Sequence, residues 1–91
     1  MSIFTWDEAK RQSNLRKHGL DFADAAAVLA GTTLTKEDLR FQYGERRFNT
    51  LGYFQGEEVS ITHTERHNGI RIISFRKATR RERDELFRGT R

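Results

Sequence analysis

The apolar side chains of the first third of the chain recur at helical spacing. Four of them lie at positions i, i+3, i+4 and i+7, which brings them onto one face of a helix. These four are Phe22, Ala25, Ala26 and Leu29. We therefore predict a helix from about Asp21 to Gly31, preceded by another over residues 6–18. Because a short turn joins them, we expect the two helices to form a hairpin.

Both ends of the first predicted helix carry recognisable signals. Thr5 and Glu8 have the Thr-x-x-Glu spacing of a capping box, in which each side chain accepts a hydrogen bond from an amide of the first turn. Gly19 suits the left-handed residue that ends many helices. Together they predict a helix that starts near Trp6 and ends at His18.

From Arg46 onward the hydrophobic period shortens to the two residues of a strand. The predicted strands are Arg46–Tyr53, Glu58–Glu65 and Ile70–Lys77. Asn68-Gly69, between the last two, is a strong signal for a tight hairpin turn. Residues 3–5 and 32–35 are candidates for short additional strands.

A second Thr-x-x-Glu box, at Thr79 and Glu82, predicts a short terminal helix to about Arg88, with Gly89 beyond it. Strands grouped after helices favour an α+β fold over a parallel α/β fold. We predict a single domain over residues 1–91. Its helical hairpin packs on a three- to four-stranded antiparallel sheet, and its last helix lies at an edge or across the other face.

Composition agrees with one small folded domain and shows where the charge lies. The 91 residues include 33% charged and 11% aromatic side chains, and long disordered chains have few aromatics. The net charge of +4 is concentrated in residues 71–91, which hold eight Lys or Arg against three acids. This basic segment indicates a polyanion such as nucleic acid, or an acidic protein partner. A solvated helix face is the alternative, and charge alone does not separate the two.

Several classes of chemistry lack the residues that they need. There is no cysteine, so disulfides, thiol nucleophiles and cysteine zinc sites are excluded. His18, His63 and His67 lack the spacing of a metal-binding motif, and no glycine-rich nucleotide loop is present. We therefore expect neither a metal nor a cofactor. No apolar run approaches the ~20 residues that span a bilayer, so we expect a cytoplasmic protein without membrane contact.

Polar side chains on the predicted strands are the remaining candidates for chemistry. Arg47, His63 and Arg76 belong to neighbouring strands, about 4.8 Å apart, and can converge. An arginine binds two phosphate oxygens at once, and a histidine exchanges protons near neutral pH. Such a set suits metal-independent RNA cleavage. The alternative is structural, since strict alternation places His63 on the face of Val59 and Ile61, where it would be half-buried.

Three segments of the chain carry motifs that belong together. The first combines Trp6-Asp7, Lys10, Asn14, Lys17-His18-Gly19 and Phe22. The second combines Glu45-x-Arg47-Phe48 with His63-Thr64-Glu65-Arg66. The third is Arg71-Ile72-Ile73-Ser74-x-Arg76-Lys77-Ala78-Thr79-Arg80-Arg81-Glu82-Arg83. In this combination, over nearly the whole chain, the sequence resembles the BrnT toxins of bacterial type II toxin–antitoxin pairs.

The resemblance implies a fold similar to the RelE ribonucleases and an endoribonuclease activity that stops translation. It implies a BrnA-like antitoxin as partner, which would bind operator DNA through a ribbon-helix-helix part and form a two-plus-two complex. The toxin would then contact DNA only through the antitoxin. The basic segment 71–91 is the expected contact for acidic antitoxin residues.

The resemblance also implies roles for single residues. Arg47 would hold phosphate, Arg76 would be the main transition-state clamp, and His63 would transfer a proton or support the site. Further RNA contacts are expected from Arg71, Lys77, Arg80, Arg81 and Arg83.

Two departures from the family pattern keep other functions open. Phe75 stands where many members have alanine, and the last helix has Leu86-Phe87 without the tyrosine found near its end in many members. One alternative is an inactive toxin homologue that acts as an antitoxin-binding co-repressor. Another is a plain nucleic-acid-binding domain, whose affinity would depend on salt without any cleavage.

Overall fold

A five-stranded sheet organises residues 3–90, the part of the chain that the structure, a computed structural model, describes. In chain order the elements are β1 (Phe4–Trp6), α1 (Glu8–His18), a 3₁₀ turn (Phe22–Asp24), α2 (Ala25–Leu29), β2 (Leu34–Glu37), β3 (Arg47–Phe54), β4 (Glu57–Arg66), β5 (Gly69–Lys77) and α3 (Arg80–Thr90). The strand order is β1-β5-β4-β3-β2. The predicted α+β class and the meander β3–β4–β5 are confirmed. None of the described helices is long and apolar enough to cross a membrane.

The two edges of the sheet differ from the prediction. Strand β2 pairs antiparallel with β3, whereas β1 pairs in parallel with β5, with Phe4 opposite Ile70 and Trp6 opposite Ile72. The prediction of a three- to four-stranded antiparallel sheet is therefore wrong in strand number and in the direction of one edge. Three residues of β1 are too few to show a period, so the sequence pattern does not reveal which strand they join.

The helical layer begins later than predicted. Thr5 lies within β1, so the predicted capping box of Thr5 and Glu8 is wrong. Helix α1 instead begins after Asp7, whose carboxylate accepts a hydrogen bond of 3.0 Å from the Lys10 amide. Gly19, with φ of 71°, ends the helix as predicted. The second half of the predicted helical hairpin differs in detail, because a 3₁₀ turn precedes α2 and α2 itself has five residues.

The core lies between this helical layer and the sheet. Its fully buried members are Phe22, Ala25, Val28, Val59, Ile61, Ile72 and Phe75. Gly52 of β3 permits the close approach of α2, since a Cβ there would lie 2.8 Å from Val28 Cγ1. The tight contact fixes the helical layer on one face of the sheet and leaves the edges and the other face for polar side chains.

Asn14 of α1 pairs with the backbone of β5 where β1 has ended. The Phe75 amide donates to Asn14 Oδ1 at 3.2 Å, and Asn14 Nδ2 donates to the Phe75 carbonyl at 2.8 Å. The same Nδ2 donates to the carbonyl of Leu20. Since buried backbone groups need partners, the Asn14 amide does for β5 what another strand would do. The asparagine of the first motif is thus explained by structure.

Helix α3 lies on the opposite face of the sheet. The predicted capping box is confirmed, because the Glu82 amide donates to Thr79 Oγ1 at 3.2 Å and the Thr79 amide donates to Glu82 Oε1 at 2.9 Å. The helix continues through Gly89 to Thr90, beyond its predicted end. Gly89 serves close packing, since a Cβ there would lie 3.0 Å from the Leu34 methyl groups. Because α3 packs on β2 and β3, it leaves part of this face uncovered.

Candidate active site

Polar side chains occupy the face of the sheet that α3 partly covers. The register places residues of β3, β4 and β5 in three rows on this face. The rows are Arg47–Thr64–Arg71, Asn49–Thr62–Ser74 and Leu51–Ser60–Arg76. We call their polar members the polar strip: Arg47, Asn49, Ser60, Thr62, Thr64, Arg71, Ser74 and Arg76. Ser60 and Thr64 are buried, whereas the other six are partly exposed and offer guanidinium, hydroxyl and amide groups suited to a polar, anionic ligand.

A bulge in β5 brings two of the arginines onto this face. Side chains five positions apart in a regular strand point to opposite faces. In β5 the partner of Thr62 is Ser74 and the partner of His63 is Ile72, so Ile73 has no partner on β4. The extra residue reverses the alternation, and Arg71 and Arg76 share the polar strip. The same reversal turns both Ile72 and Phe75 into the core.

Arg76 lies at the α3 end of the polar strip, where Glu82 fixes its guanidinium. Its two terminal nitrogens donate to the two Glu82 oxygens at 2.7 and 3.0 Å. Burial alone would raise the pKa of Glu82, but hydrogen bonds from Arg76 and Thr79 outweigh burial and hold that pKa below its usual value. The Arg76 side chain keeps 34% of its surface exposed.

A cleft of about 400 Å³ opens beside this ion pair. Its wall is formed by α3 and by the chain that follows β2. Among its lining residues are Asn49, Arg76, Arg81, Glu82 and Lys36. The cleft also contains Arg40 and the carboxylates of Glu37, Asp38 and Glu85, so four cationic side chains and four carboxylates line it, and Arg76 and Arg81 are the arginines that the sheet and α3 contribute.

A second arginine group lies at the other end of the polar strip. Glu45 accepts hydrogen bonds from Arg47 at 3.3 Å, from Arg66 at 2.6 Å and from Arg71 at 2.8 Å. The hydrogen bond from Arg66 and the charge of Arg71 hold the pKa of Glu45 below its usual value. The Arg47 guanidinium also lies 4.2 Å from the centre of the Tyr43 ring. The two ends of the strip, at Ser60 and Thr64 of β4, are four positions apart, which corresponds to about 13 Å.

His63 is not part of the polar strip. It lies on the opposite face of the sheet, 1% exposed, with its ring stacked on Phe48. Its Nε2 is in hydrogen-bond contact with the Thr50 hydroxyl at 2.7 Å, and that hydroxyl lies 2.7 Å from the Thr35 hydroxyl. Burial lowers the pKa of His63, which keeps the ring neutral at neutral pH. The structure thus brings Arg47 and Arg76 onto one face and places His63 behind it.

The other predicted RNA contacts are spread over several surfaces. Lys77 lies opposite Val59, on the core side of the sheet, and its Nζ is 3.3 Å from Glu57. Arg81 lines the cleft, whereas Arg80 and Arg81 both line a second hollow of about 690 Å³ between α3 and Lys36. Arg83 is about 200° around the helix from Arg81, at 100° per residue. Of these residues, Arg81 is the one that accompanies Arg76.

Two groups of functional candidates escaped sequence reasoning. The hydroxyl row of β4 was visible as alternation of Ser60, Thr62 and Thr64, but a polar strand face is also what solvent exposure produces. Glu45 and Arg66 belong to the second motif, but the sequence assigned them no role, since their contacts depend on a loop and on the register of three strands. Among residues 3–90, no three His, Cys, Asp or Glu side chains come together in a way that could hold a metal ion.

Comparison with known proteins connects this geometry with a family. A model for the family described as the ribonuclease toxin BrnT of type II toxin–antitoxin systems matches residues 6–82. The crystal structure of the Brucella abortus ribonuclease toxin BrnT is similar, with a TM-score of 0.64 and 30% identity over 88% of this chain and 100% of that chain. No curated protein matches the chain at a comparable level. The resemblance drawn from the motifs is confirmed: the chain belongs to the BrnT family of ribonuclease toxins of type II toxin–antitoxin systems.

Proposed function

We propose that this ribonuclease toxin cleaves RNA on the polar strip by attack of a ribose 2′-OH on the adjacent phosphorus, without a metal ion. The bond from the 2′ oxygen to phosphorus forms while the bond to the 5′ oxygen breaks. The proton of the 2′-OH passes to a base, and the 5′ oxygen takes a proton from water or an acid. The products are a 2′,3′-cyclic phosphate and a 5′-hydroxyl end.

Arg76 is the proposed clamp for the scissile phosphate. Glu82 and the Lys77 carbonyl occupy both hydrogens of Nη1 and one of Nη2, so a phosphate would bind through Nε and the second hydrogen of Nη2, and charge on its oxygens grows in the transition state. Glu82 holds Arg76 in a defined position at the cleft while leaving 34% of its side chain exposed. The position of this oriented arginine in an open cleft is the observation that carries the proposal.

Glu82 is the proposed proton acceptor. Its lowered pKa keeps it ionised at neutral pH, which is the form that a base needs. Glu82 Oε1 lies 2.7 Å from Arg76 Nη1, so a phosphate held by Arg76 brings the 2′-OH of the adjoining ribose near this carboxylate. A carboxylate with a low pKa is a modest base, so most of the rate enhancement must come from positioning and from arginine charge.

His63 is proposed as a positioning residue. Its contact with Thr50 ties β4 to β3 directly behind the row that contains Asn49 and Thr62. Direct proton transfer by His63 stays a prediction, and the ring would have to act from the far side of the sheet. A positioning role requires no proton transfer across the sheet.

The arginines around Arg76 are proposed to bind the RNA backbone. Arg47 and Arg71 offer charge at one end of the strip, and Arg80 and Arg81 offer it on α3. Contacts by Lys77 and Arg83 stay predictions, since both residues lie away from the strip. Binding through phosphate contacts would fall steeply with salt.

The antitoxin partner is proposed to be BrnA-like and acidic where it contacts this toxin. Covering the cleft with carboxylates would neutralise Arg76 and Arg81 and exclude RNA. If the antitoxin dimerises, a two-plus-two complex follows, and operator DNA would be bound by the antitoxin. Release of the toxin would then allow RNA cleavage and arrest of translation.

The direct test of the site is an Arg76→Ala variant assayed on single-stranded RNA. We expect loss of cleavage by about 10²-fold or more, in the range reported for a lost transition-state donor. The matched control is Arg11→Ala, because Arg11 also makes a two-point ion pair, with Asp21 on the helical layer. If the parent is active and Arg76→Ala cleaves RNA about as fast as Arg11→Ala, the assignment of Arg76 is refuted. If the parent and both variants are inactive, the result favours the co-repressor alternative.

A further inference from the structure

The arginine group at the far end of the polar strip is already occupied by an anion of the chain itself. Three guanidinium groups, one from β3, one from β4 and one from β5, converge on the single carboxylate of Glu45. Positive charge therefore exceeds negative charge by two at this point. A carboxylate and a phosphodiester both offer two oxygens to an arginine fork, so the same donors fit either ligand.

The group also holds polar atoms that Glu45 leaves without a partner. Thr64 stands between Arg47 and Arg71 in the register and is 1% exposed, and its hydroxyl makes no hydrogen bond. Arg71 Nε is likewise buried without a partner. Buried donors are normally satisfied, and unsatisfied ones cost free energy. A larger anion that reached them would gain contacts that the carboxylate does not make.

The placement of Glu45 allows it to leave. It lies in the loop between β2 and β3, directly after Gly44, whose φ is 74° and whose Cβ position is free of contacts within 4 Å. Its side chain is 20% exposed, so solvent reaches the ion pairs. By contrast, Arg47 and Arg71 belong to paired strands, so the conformation of this loop does not set their backbone positions.

We propose that Glu45 is a built-in competitor, which occupies a subsite for a second RNA phosphate formed by Arg47, Arg66, Arg71 and Thr64 and is displaced when RNA binds. The inference rests on the proposed function in taking RNA as the ligand. The subsite lies about 13 Å along the strip from Arg76. The phosphate that it binds is therefore another phosphate of the same RNA molecule, not the one at the cleaved bond. RNA that is too short to reach both ends would gain nothing from it.

The test measures binding of a short single-stranded RNA that is 2′-O-methylated throughout, so that the attacking hydroxyl is blocked and binding is separated from cleavage. Glu45→Gln keeps the size of the side chain and removes its charge. We expect its Kd to fall by about threefold or more, the scale of one lost ion pair. The control Glu8→Gln makes the same charge change on α1, on the other layer, and should leave Kd unchanged.

A double-mutant cycle with Arg71→Ala separates displacement from a general change of charge. If Glu45 competes with RNA, Arg71→Ala costs more affinity in the Glu45→Gln protein than in the parent, by about threefold. Equal costs in both backgrounds would overturn the proposal. So would weaker binding by Glu45→Gln, because that result would show that Glu45 orders the arginines for RNA.

Should Glu45→Gln fail to fold, Glu45→Asp shortens the carboxylate and is expected to tighten RNA binding in the same direction, and unchanged or weaker binding would overturn the inference. The Arg76→Ala cleavage assay is independent of these measurements. Loss of cleavage there with no effect of Glu45 would reject this inference alone, whereas retained cleavage would reject the proposed active site alone.

Discussion

Glu82 binds Arg76 through both of its oxygens and caps helix α3 with the same carboxylate. One side chain therefore fixes the guanidinium in the cleft and the start of the helix that forms the cleft wall. Replacing Glu82 by a residue of different size would remove both the helix cap and the ion pair with Arg76. Replacing it by glutamine separates the capping role from the chemical one.

Glu82→Gln is expected to keep the fold and lose the reaction. Glutamine serves in a capping box as glutamate does, so helix α3 should remain. The proposed base would be absent, and kcat should fall by about 10²-fold or more. The control is Asp84→Asn, an equal charge change at an exposed position of α3. A kcat for Glu82→Gln within a few-fold of the control would exclude Glu82 as the proton acceptor.

The pH dependence of stability should report the burial of His63. Because burial lowers its pKa, the native ring stays neutral while the unfolded chain takes up a proton below about pH 6.5. The free energy of unfolding should therefore fall as the pH drops from 6.5 toward 5.5, by at most about 1.4 kcal/mol per unit from this group. Asp21, whose pKa Arg11 lowers to about 2, loses its contribution only at lower pH.

Urea unfolding at pH 7.5, 6.5 and 5.5 checks this prediction. His63→Gln should flatten the profile in this range. The control is His67→Gln, in the exposed turn between β4 and β5, which should keep the parent slope. A parent slope that survives in His63→Gln would show that other groups cause it.

Asn14→Ala should destabilise the fold without touching the site. The substitution removes two hydrogen bonds to Phe75 and leaves its backbone amide and carbonyl unpaired beside the core. We expect a loss of about 1–3 kcal/mol in the free energy of unfolding for a buried group left unsatisfied. Gln12→Ala, on the exposed side of α1, is the comparison. Equal stability of the two variants would contradict the role given to Asn14.

Charge reversal on α3 should weaken antitoxin binding. Because Arg81 lines the cleft, Arg81→Glu is expected to raise the Kd for the antitoxin more than Arg83→Glu does. Arg80→Glu should lie between them. Calorimetric titration of the purified pair measures the three effects. If neither the three single variants nor the variant that combines all three reversals changes the affinity, the antitoxin does not cover this segment.

The sequence predicts those parts of the fold that repeat a period over many residues. Such a period is visible in the helical stripe from Phe22 to Leu29 and in the three long strands. The start of α1 was misplaced because Thr5 and Glu8 satisfied a local rule, whereas tertiary pairing held Thr5 in β1. Local signals of equal quality thus gave a wrong cap at Thr5 and a right one at Thr79.

The site could be predicted as residue types and only partly as an arrangement. Strict alternation does not reveal the bulge at Ile73, which decides that Arg71 and Arg76 share a face. It correctly paired His63 with the face of Val59 and Ile61, which is the core. Glu45 could not be linked to Arg71, because 26 positions and the register of three strands separate them.

The most direct test of the proposed mechanism is the chemistry of the RNA ends that this toxin produces in the presence of EDTA. Attack by the 2′-OH predicts fragments with 2′,3′-cyclic phosphate and 5′-hydroxyl ends by mass spectrometry, and no cut at a nucleotide whose 2′-OH is replaced by hydrogen. Fragments with 3′-hydroxyl and 5′-phosphate ends, or cleavage that requires an added metal ion, would contradict it.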